Sequence, residues 1–333
     1  MTSSTPRGPQ LVMGASGFLG SNVTRLLVER GDDVRVWTRS SSSTEAFADL
    51  DVRHHRGDLG DAEALAEAMR GIDTVHYCIV DTRAWLRDAA PLHDTNVVGL
   101  RYALEAGLAA GVRRFIFCST VGTIGVRSDP PADESTEHNW LELGGPYIQT
   151  RVAAEDLVLE YCRERSLPGV VLCVSTTYGA PDYGSPHGRM VSDAARGKLP
   201  VYFGSGASME VVGIRDAAGA FLLAAEHGRV GERYIISERW MSWRELVITA
   251  AAAGGAKPPR VGLPLPLLGV IGRITDVAAA ILRRDLVMNS VSVRLMHFMS
   301  PLDHSKAMRE LGWEPEPTTA AIAAAARFYL ERQ

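Results

Sequence analysis

Gly14-Ala-Ser-Gly17-Phe-Leu-Gly20 lies between an apolar run, Leu11-Val12-Met13, and a stretch in which Asn22, Val23, Leu26, Leu27 and Arg30 recur at helical spacing. The glycines therefore mark a sharp passage from strand to helix close to the N-terminus, where the first strand of a doubly wound sheet belongs. A helix N-terminus has unpaired N–H groups and the positive end of the dipole, and residues without side chains let a pyrophosphate approach the backbone. The spacing is Gly-x-x-Gly-x-x-Gly rather than the commoner Gly-x-Gly-x-x-Gly, so the strand and helix around it carry as much of the argument as the glycines do.

The rest of the chain limits the alternatives. Its 333 residues are 46% hydrophobic and 22% charged, an ordinary globular composition with room for one large and one small domain. The 35 basic and 39 acidic residues are interspersed and give a net charge of -4, without the basic stripe that nucleic acid requires. Cys78, Cys118, Cys162 and Cys173 are widely spaced, as reduced core cysteines of a cytoplasmic protein would be, and the nine histidines have no metal-ligand spacing. The polar residues 1–9 read as a flexible tail rather than a signal peptide. Residues 263–282 are strongly apolar, but Pro264, Pro266, Arg273 and Asp276 interrupt them, which favours a buried or pocket-forming helix over a membrane span.

Beyond the glycine loop, strand-like and helical segments alternate: strands at 33–38, 74–80, 114–119 and 170–175, and helices at 61–69, 96–110 and 147–165. This beat predicts an α/β fold with a doubly wound parallel sheet, Rossmann-like, and ligands at the carboxyl ends of its strands. After Gly179 the beat fades. The expected division is a dinucleotide-binding domain over 10–180 with a return segment at about 211–240, and a smaller C-terminal substrate domain over 181–210 and 241–333.

Phe117-Cys-Ser119-Thr120 ends one strand, and Tyr147-Ile-Gln-Thr-Arg151 opens a helix 27 residues further on. Gly57-Asp58-Leu59, Thr95-Asn96-Val97-Val98-Gly99, Thr177-Tyr178-Gly179, Ile214-Arg215-Asp216 and Leu311-Gly312-Trp313 extend the pattern. With the glycine loop, these residues resemble the extended short-chain dehydrogenase/reductase family, also called the NAD-dependent epimerase/dehydratase family. The resemblance is strongest to its dihydroflavonol-reductase-like and 3β-hydroxysteroid-dehydrogenase-like branches.

The resemblance implies an oxidoreductase in which Thr120 holds the substrate oxygen, with Ser119 as a neighbour able to substitute, and Tyr147 exchanges the proton. It places the cofactor against Gly14, Ser16, Gly17, Phe18, Leu19, Gly20, Thr38, Arg39, Ser40, Asp58, Leu59, Cys78, Val80, Tyr147, Arg151 and Thr176. Asn96 is expected within a helix of the active-site wall, although by its bare sequence it reads equally as a helix cap. A homodimer through the helices from Asn96 and Tyr147 is also left open.

This chain departs from the family where Tyr-x-x-x-Lys becomes Tyr147-x-x-x-Arg151. A phenol titrates near pKa ~10 and needs nearby positive charge to exchange protons at neutral pH. Arg151, one helical turn away, keeps the charge but does not release a proton. Turnover without a lysine relay and a non-catalytic protein that senses NADP(H) both fit this substitution.

Thr38 stands where NAD-preferring relatives have an acid, and Arg39 follows it, which favours NADP(H) while leaving NAD(H) open. Val121-Gly122 follow Thr120 in place of the dehydratases' Asp-Glu pair. Trp85, Tyr178, Tyr183, His187 and Met190, with the apolar helix behind them, outline a site for a hydrophobic ketone, aldehyde or alcohol. Arg189, Arg196 and Arg215 are candidate phosphate ligands that keep a nucleotide-sugar epimerase with retained NAD in view.

Overall fold

The structure, a computed structural model, describes residues 8–127, 129–185 and 187–332. The expected tail therefore lies, for residues 1–7, outside the described residues.

Seven parallel strands form the main sheet in the order β10-β6-β5-β4-β1-β2-β3. They are β1 (Gln10–Met13), β2 (Val34–Thr38), β3 (Arg53–Arg56), β4 (Thr74–Tyr77), β5 (Arg114–Thr120), β6 (Gly169–Val174) and β10 (Arg233–Ile236). Helices α1 (Phe18–Glu29), α7 (Ile214–His227) and α11 (Ser305–Leu311) pack on one face; α2 (Ala62–Met69), α4 (Gly99–Ala110) and α5 (Leu141–Arg165) pack on the other. Alternation along the strands supplies both cores. Leu11, Met13, Phe115 and Phe117 enter the core under α4 and α5, while Val12, Val36, Ile116 and Leu172 enter the one under α1 and α7.

β1 lies between β2 and β4, so successive connections leave it toward opposite edges. This reversal opens a crevice at the carboxyl ends of β1 and β4, where a doubly wound sheet binds its ligand.

The smaller part has a three-stranded sheet of β7 (Thr176–Tyr178), β9 (Ser208–Gly213) and β11 (Arg239–Ser242), and a pair formed by β8 (Tyr202–Ser205) and β12 (Gly262–Pro264). With α6 (Gly188–Ala195), α8 (Trp243–Ala253) and α12 (Thr318–Glu331) it encloses a third core around Val211, Trp243, Leu246 and Ile322. Helices α9 (Leu265–Leu282) and α10 (Ser290–Leu295) lie beside it.

Three expectations need refinement. Of the buried and pocket-forming alternatives for the apolar 263–282 segment, the second holds: only Leu268, Gly272 and Ala279 of α9 are inside, while Leu265, Pro266, Gly269 and Arg273 line a cleft against α10. The helix expected at 96–110 starts earlier, with α3 (Ala90–His93), and passes through a π-helical turn at Asp94–Val98 before α4. Of the four cysteines, Cys173 alone is fully buried; the others are half-buried.

Candidate active site

The glycine loop is built by close approach. Gly14 has φ +89, and a Cβ there would stand 3.0 Å from the Cys78 carbonyl carbon. A Cβ on Gly20 would lie 2.3 Å from the Gly14 oxygen, so only glycine lets α1 start against the end of β1. The Gly17 N–H donates to the Gly14 carbonyl at 3.0 Å, and Gly17 itself caps α1 in an extended conformation. Ser16, Phe18 and Leu19 are half-buried around this cradle. Asn22, which sequence reasoning passed over, donates from α1 to the Phe18 carbonyl at 2.8 Å and to the Pro181 carbonyl at 3.3 Å, tying the loop to the segment after β7.

Next to this cradle, Thr38 is buried and its hydroxyl pairs with His54 Nε2 at 2.8 Å, so the residue replacing the acid is turned into the protein. Burial and Arg56 lower the His54 pKa, which keeps the imidazole neutral near pH 7. Arg39 and Ser40 stand exposed at the mouth. Asp58 is exposed in a turn, its carbonyl accepting from the Asp61 N–H, while Leu59 packs inward near Gly99. Cys78 and Val80, after β4, and Thr176, on β7, are half-buried at strand ends.

Gly145 and Pro146 fix where the helix bearing Tyr147 begins. Gly145 has φ 68 and ψ -171, which breaks α5, and Pro146 restarts it one residue before Tyr147. Tyr147 thus sits in the first turn of the long segment, and Arg151 follows on the same face.

Arg151 is 2% exposed. Its Nη2 donates to the Cys118 carbonyl, its guanidinium lies 5.2 Å from the Phe117 ring centroid, and its Nε and Nη1 have no hydrogen-bond partner. No ion pair to it occurs among the described residues. The carboxylate one turn on, Glu155, pairs instead with Arg233 of β10 at 2.9 Å. A buried guanidinium with two unpartnered nitrogens is costly, and a ligand that accepts from both would offset that cost. Those donors fit the ribose hydroxyls of a dinucleotide, and the glycine cradle fits its pyrophosphate.

The Tyr147 phenol is held above its ordinary pKa by burial, an effect that the Arg151 charge opposes and that Cys118 and Asp81 reinforce. It is a neutral acid at physiological pH.

Thr120 ends β5, and its hydroxyl oxygen accepts from the Gly122 N–H at 3.1 Å, which leaves its O–H available to donate. Ser119 does not share this position. Alternation turns it toward α5, where its hydroxyl donates to Glu155, so the expected substitute for Thr120 is occupied elsewhere.

Asn96 lies within the π-helical turn and is not a cap. Its Oδ1 accepts from the Asp81 N–H at 2.8 Å; its Nδ2 donates to the Asp81 carbonyl at 3.0 Å and to Thr150 Oγ1 at 3.1 Å. This locks the loop after β4 to the helix bearing Tyr147.

The residues expected to line the substrate site are only partly brought together. Trp85 is half-buried in the β4–α3 loop, and His187 is exposed at the start of α6. Tyr178 belongs to the third core, with its hydroxyl on the Met209 sulfur at 3.8 Å. Tyr183 is turned away toward α12, where its ring meets Phe328 and the Arg332 guanidinium stacks on it. Met190 packs on the third core.

Arg215 is paired with Glu29 at 2.6 Å, Arg196 donates to the Tyr329 carbonyl, and Arg189 points outward, 90% exposed. No diphosphate clamp forms from these three. One neighbour is not foreseen from sequence: α10 approaches the start of the helix bearing Tyr147, where a Cβ on Gly145 would lie 3.2 Å from Val291.

A family model described as NAD dependent epimerase/dehydratase family matches residues 10–237. Sterol demethylase protein B of Methylococcus capsulatus is 31% identical over 326 residues, covering 97% of this chain and 98% of the relative. A 3-beta-hydroxysteroid dehydrogenase of Mycolicibacterium neoaurum is 26% identical over 352 residues, covering 99% and 93%. A crystal structure described as gox2253 superposes with a TM-score of 0.84 at 32% identity, covering 98% of each chain.

Proposed function

Since the chain belongs to the NAD dependent epimerase/dehydratase family, as an extended short-chain enzyme that uses a nicotinamide dinucleotide, we propose that it reduces a hydrophobic ketone or aldehyde, or oxidises the corresponding alcohol, with NADP(H). The observation that carries this reading is the set formed by Tyr147, the unpaired Arg151 cation one turn later and the Thr120 hydroxyl, whose O–H is available to donate. When bound, the nicotinamide supplies or takes up the hydride.

In the reducing direction Thr120 donates a hydrogen bond to the carbonyl oxygen, and Tyr147 gives that oxygen its phenolic proton. Arg151 holds the ribose and lends positive charge to the phenolate that remains. Because a guanidinium keeps its proton, Tyr147 recovers its own from solvent.

The preference for NADP(H) rests on Thr38 in place of an acid and on Arg39 exposed at the mouth of the cradle. An apolar substrate is supported by Val291 beside the catalytic helix, by the engagement of Arg196 and Arg215 elsewhere, and by the sterol and steroid names of the two relatives.

The test follows NADPH and NADH oxidation with steroid and long-chain ketones. Product in molar excess over enzyme, with released NADP+, is the expected result and excludes a sensor without turnover. Retained NAD with no net oxidation would overturn the reading in favour of an epimerase.

A further inference from the structure

Helix α9 shows water a face that water-facing helices ordinarily keep polar. Its 18 residues have a mean hydropathy of 1.7. Leu267, Val270, Ile274, Val277 and Ile281 are 45%, 52%, 64%, 61% and 76% exposed. At 3.6 residues per turn they fall within an arc of about 80°, centred about 160° from the buried Leu268, Gly272 and Ala279. Leu282 at one end and Val261 beyond the other, also exposed, lengthen the patch.

The charge around this stripe is predominantly positive, five cations to two acids. Between residues 257 and 285 the cations are Lys257, Arg260, Arg273, Arg283 and Arg284, all exposed. The acids are Asp276, whose carboxylate accepts from the Ser290 N–H at 3.2 Å, and Asp285, which accepts from the Arg87 N–H at 2.9 Å. The stripe therefore ends in a basic pair on each side.

We propose that α9 is a docking surface for an anionic lipid membrane. It lies flat in the interface, with Leu267, Val270, Ile274, Val277 and Ile281 at the acyl boundary and Lys257, Arg260, Arg283 and Arg284 among the phosphate headgroups. A spanning helix would carry Arg273 and Asp276 into hydrocarbon and strip Leu268 and Ala279 from the protein, whereas a flat one does neither.

A second copy fits worse. A helix about 27 Å long and about 10 Å wide offers a face of about 300 Å², well short of the ~800 Å² per partner in a stable interface. In either antiparallel or parallel self-pairing, basic ends meet basic ends. The stripe also adjoins a cleft of about 320 Å³ between α9 and α10, lined by Leu265, Pro266, Val293 and Arg294. Passage of an apolar substrate from lipid into this cleft rests on the oxidoreductase reading; membrane binding does not.

The test is flotation of the purified protein with phosphatidylcholine vesicles, with and without phosphatidylglycerol. Binding should require phosphatidylglycerol and weaken with salt. The Ile274→Asp/Val277→Asp/Ile281→Asp variant and the Arg283→Glu/Arg284→Glu variant should each lose at least about tenfold in partitioning. Both should keep the wild-type circular dichroism and the wild-type thermal shift with NADP(H), which keeps loss of binding distinct from loss of fold or of activity. Failure of the wild type to float with anionic vesicles, or equal flotation of the triple variant, overturns the proposal. So does a wild-type dimer in light scattering that the triple variant converts to monomer, because the stripe would then belong to a second copy.

Discussion

Replacing Arg151 with Met removes a buried cation but keeps most of its volume. Without dinucleotide the change has two opposed parts. Relief of the two unpartnered nitrogens, Nε and Nη1, favours the variant by about 2–6 kcal/mol in all. Loss of the charged hydrogen bond to Cys118 and of the stacking on Phe117 costs about 2–5 kcal/mol. Set against each other, the parts leave a net change between about 4 kcal/mol in favour of the variant and about 3 kcal/mol against it. At about 2.1 cal/mol/K per residue, 333 residues convert each kcal/mol into about 1.4 °C, so the cofactor-free Tm should rise by no more than about 6 °C and fall by no more than about 4 °C.

With dinucleotide the effect is one-sided. At a concentration of about one hundred times the wild-type Kd, the wild type gains about 2.7 kcal/mol, or about 4 °C. If the two nitrogens together contribute about 3 kcal/mol to the ribose, the variant binds about 150-fold more weakly and its gain falls below about 1 °C. Scanning fluorimetry with and without NADP(H) reads both numbers. A variant that melts many degrees lower on its own yet keeps the 4 °C shift would show that Arg151 is a structural cation and refute the assignment.

Tyr147→Phe should lower kcat by about 10²–10⁴-fold with little change in dinucleotide affinity; full activity in steady-state assays would remove Tyr147 from the mechanism. Because burial raises the Tyr147 pKa, the acid form persists from neutral pH upward, so reduction should stay level there and fall only in the alkaline range, whereas alcohol oxidation should rise with pH. Gly20→Ala forces a Cβ to within 2.3 Å of the Gly14 oxygen, an overpacking of about 1–3 kcal/mol, and should lower Tm while abolishing the NADP(H) shift. Asp216 is pushed up to about 6, chiefly by burial. A raised acid stabilises the fold below its unfolded pKa near ~3.9 and loses that contribution as pH rises through 6, so Asp216→Asn should raise Tm more at pH 8 than at pH 5. Arg39→Glu should cut kcat/KM for NADPH at least about tenfold and spare NADH.

The large sheet was legible because parallel strands are buried on both faces and read as apolar runs, as in Gly169–Val174. Strand β3 shows the limit: Arg53-His54-His55-Arg56 has no apolar pattern, so it is missing from the strands expected from sequence. The start of the catalytic helix at Tyr147 agrees with the Gly145 break, since Gly-Pro carries a local backbone signal. The π-helical turn at Asp94–Val98 carries none, because one slipped hydrogen bond leaves the helical periodicity almost unchanged; it serves contacts from Asn96 to distant residues. The way an aromatic turns is also absent from sequence: Tyr178 stands with its ring 6.1 Å from that of His187, whereas Tyr183 faces Phe328 of α12. The apolar sequence of α9 likewise does not distinguish a core from an exposed face. Arg151 stands out in the sequence through the resemblance to a Tyr-x-x-x-Lys pattern, but its lack of an anionic partner is visible only in the structure, where Glu155 belongs to Arg233.

The order of strands also governs how the chain is made. Strand β6, buried in all six residues, takes its outer neighbour from β10, which leaves the ribosome some 60 residues later. β10 is in turn clamped from the far end of the chain. Lys306 donates to Glu232 and to the Arg233 carbonyl and Tyr234 donates to Glu310, while α7, packed against β6, is held in turn by the Trp313 indole N–H, which donates to the Asp216 carbonyl at 3.0 Å. At about 5–20 residues per second, the 139 residues from Val174 to Trp313 keep that apolar edge waiting about 7–28 s. The nucleotide-binding half therefore begins first and finishes last, and its newborn edge is the stretch that a chaperone has most reason to cover.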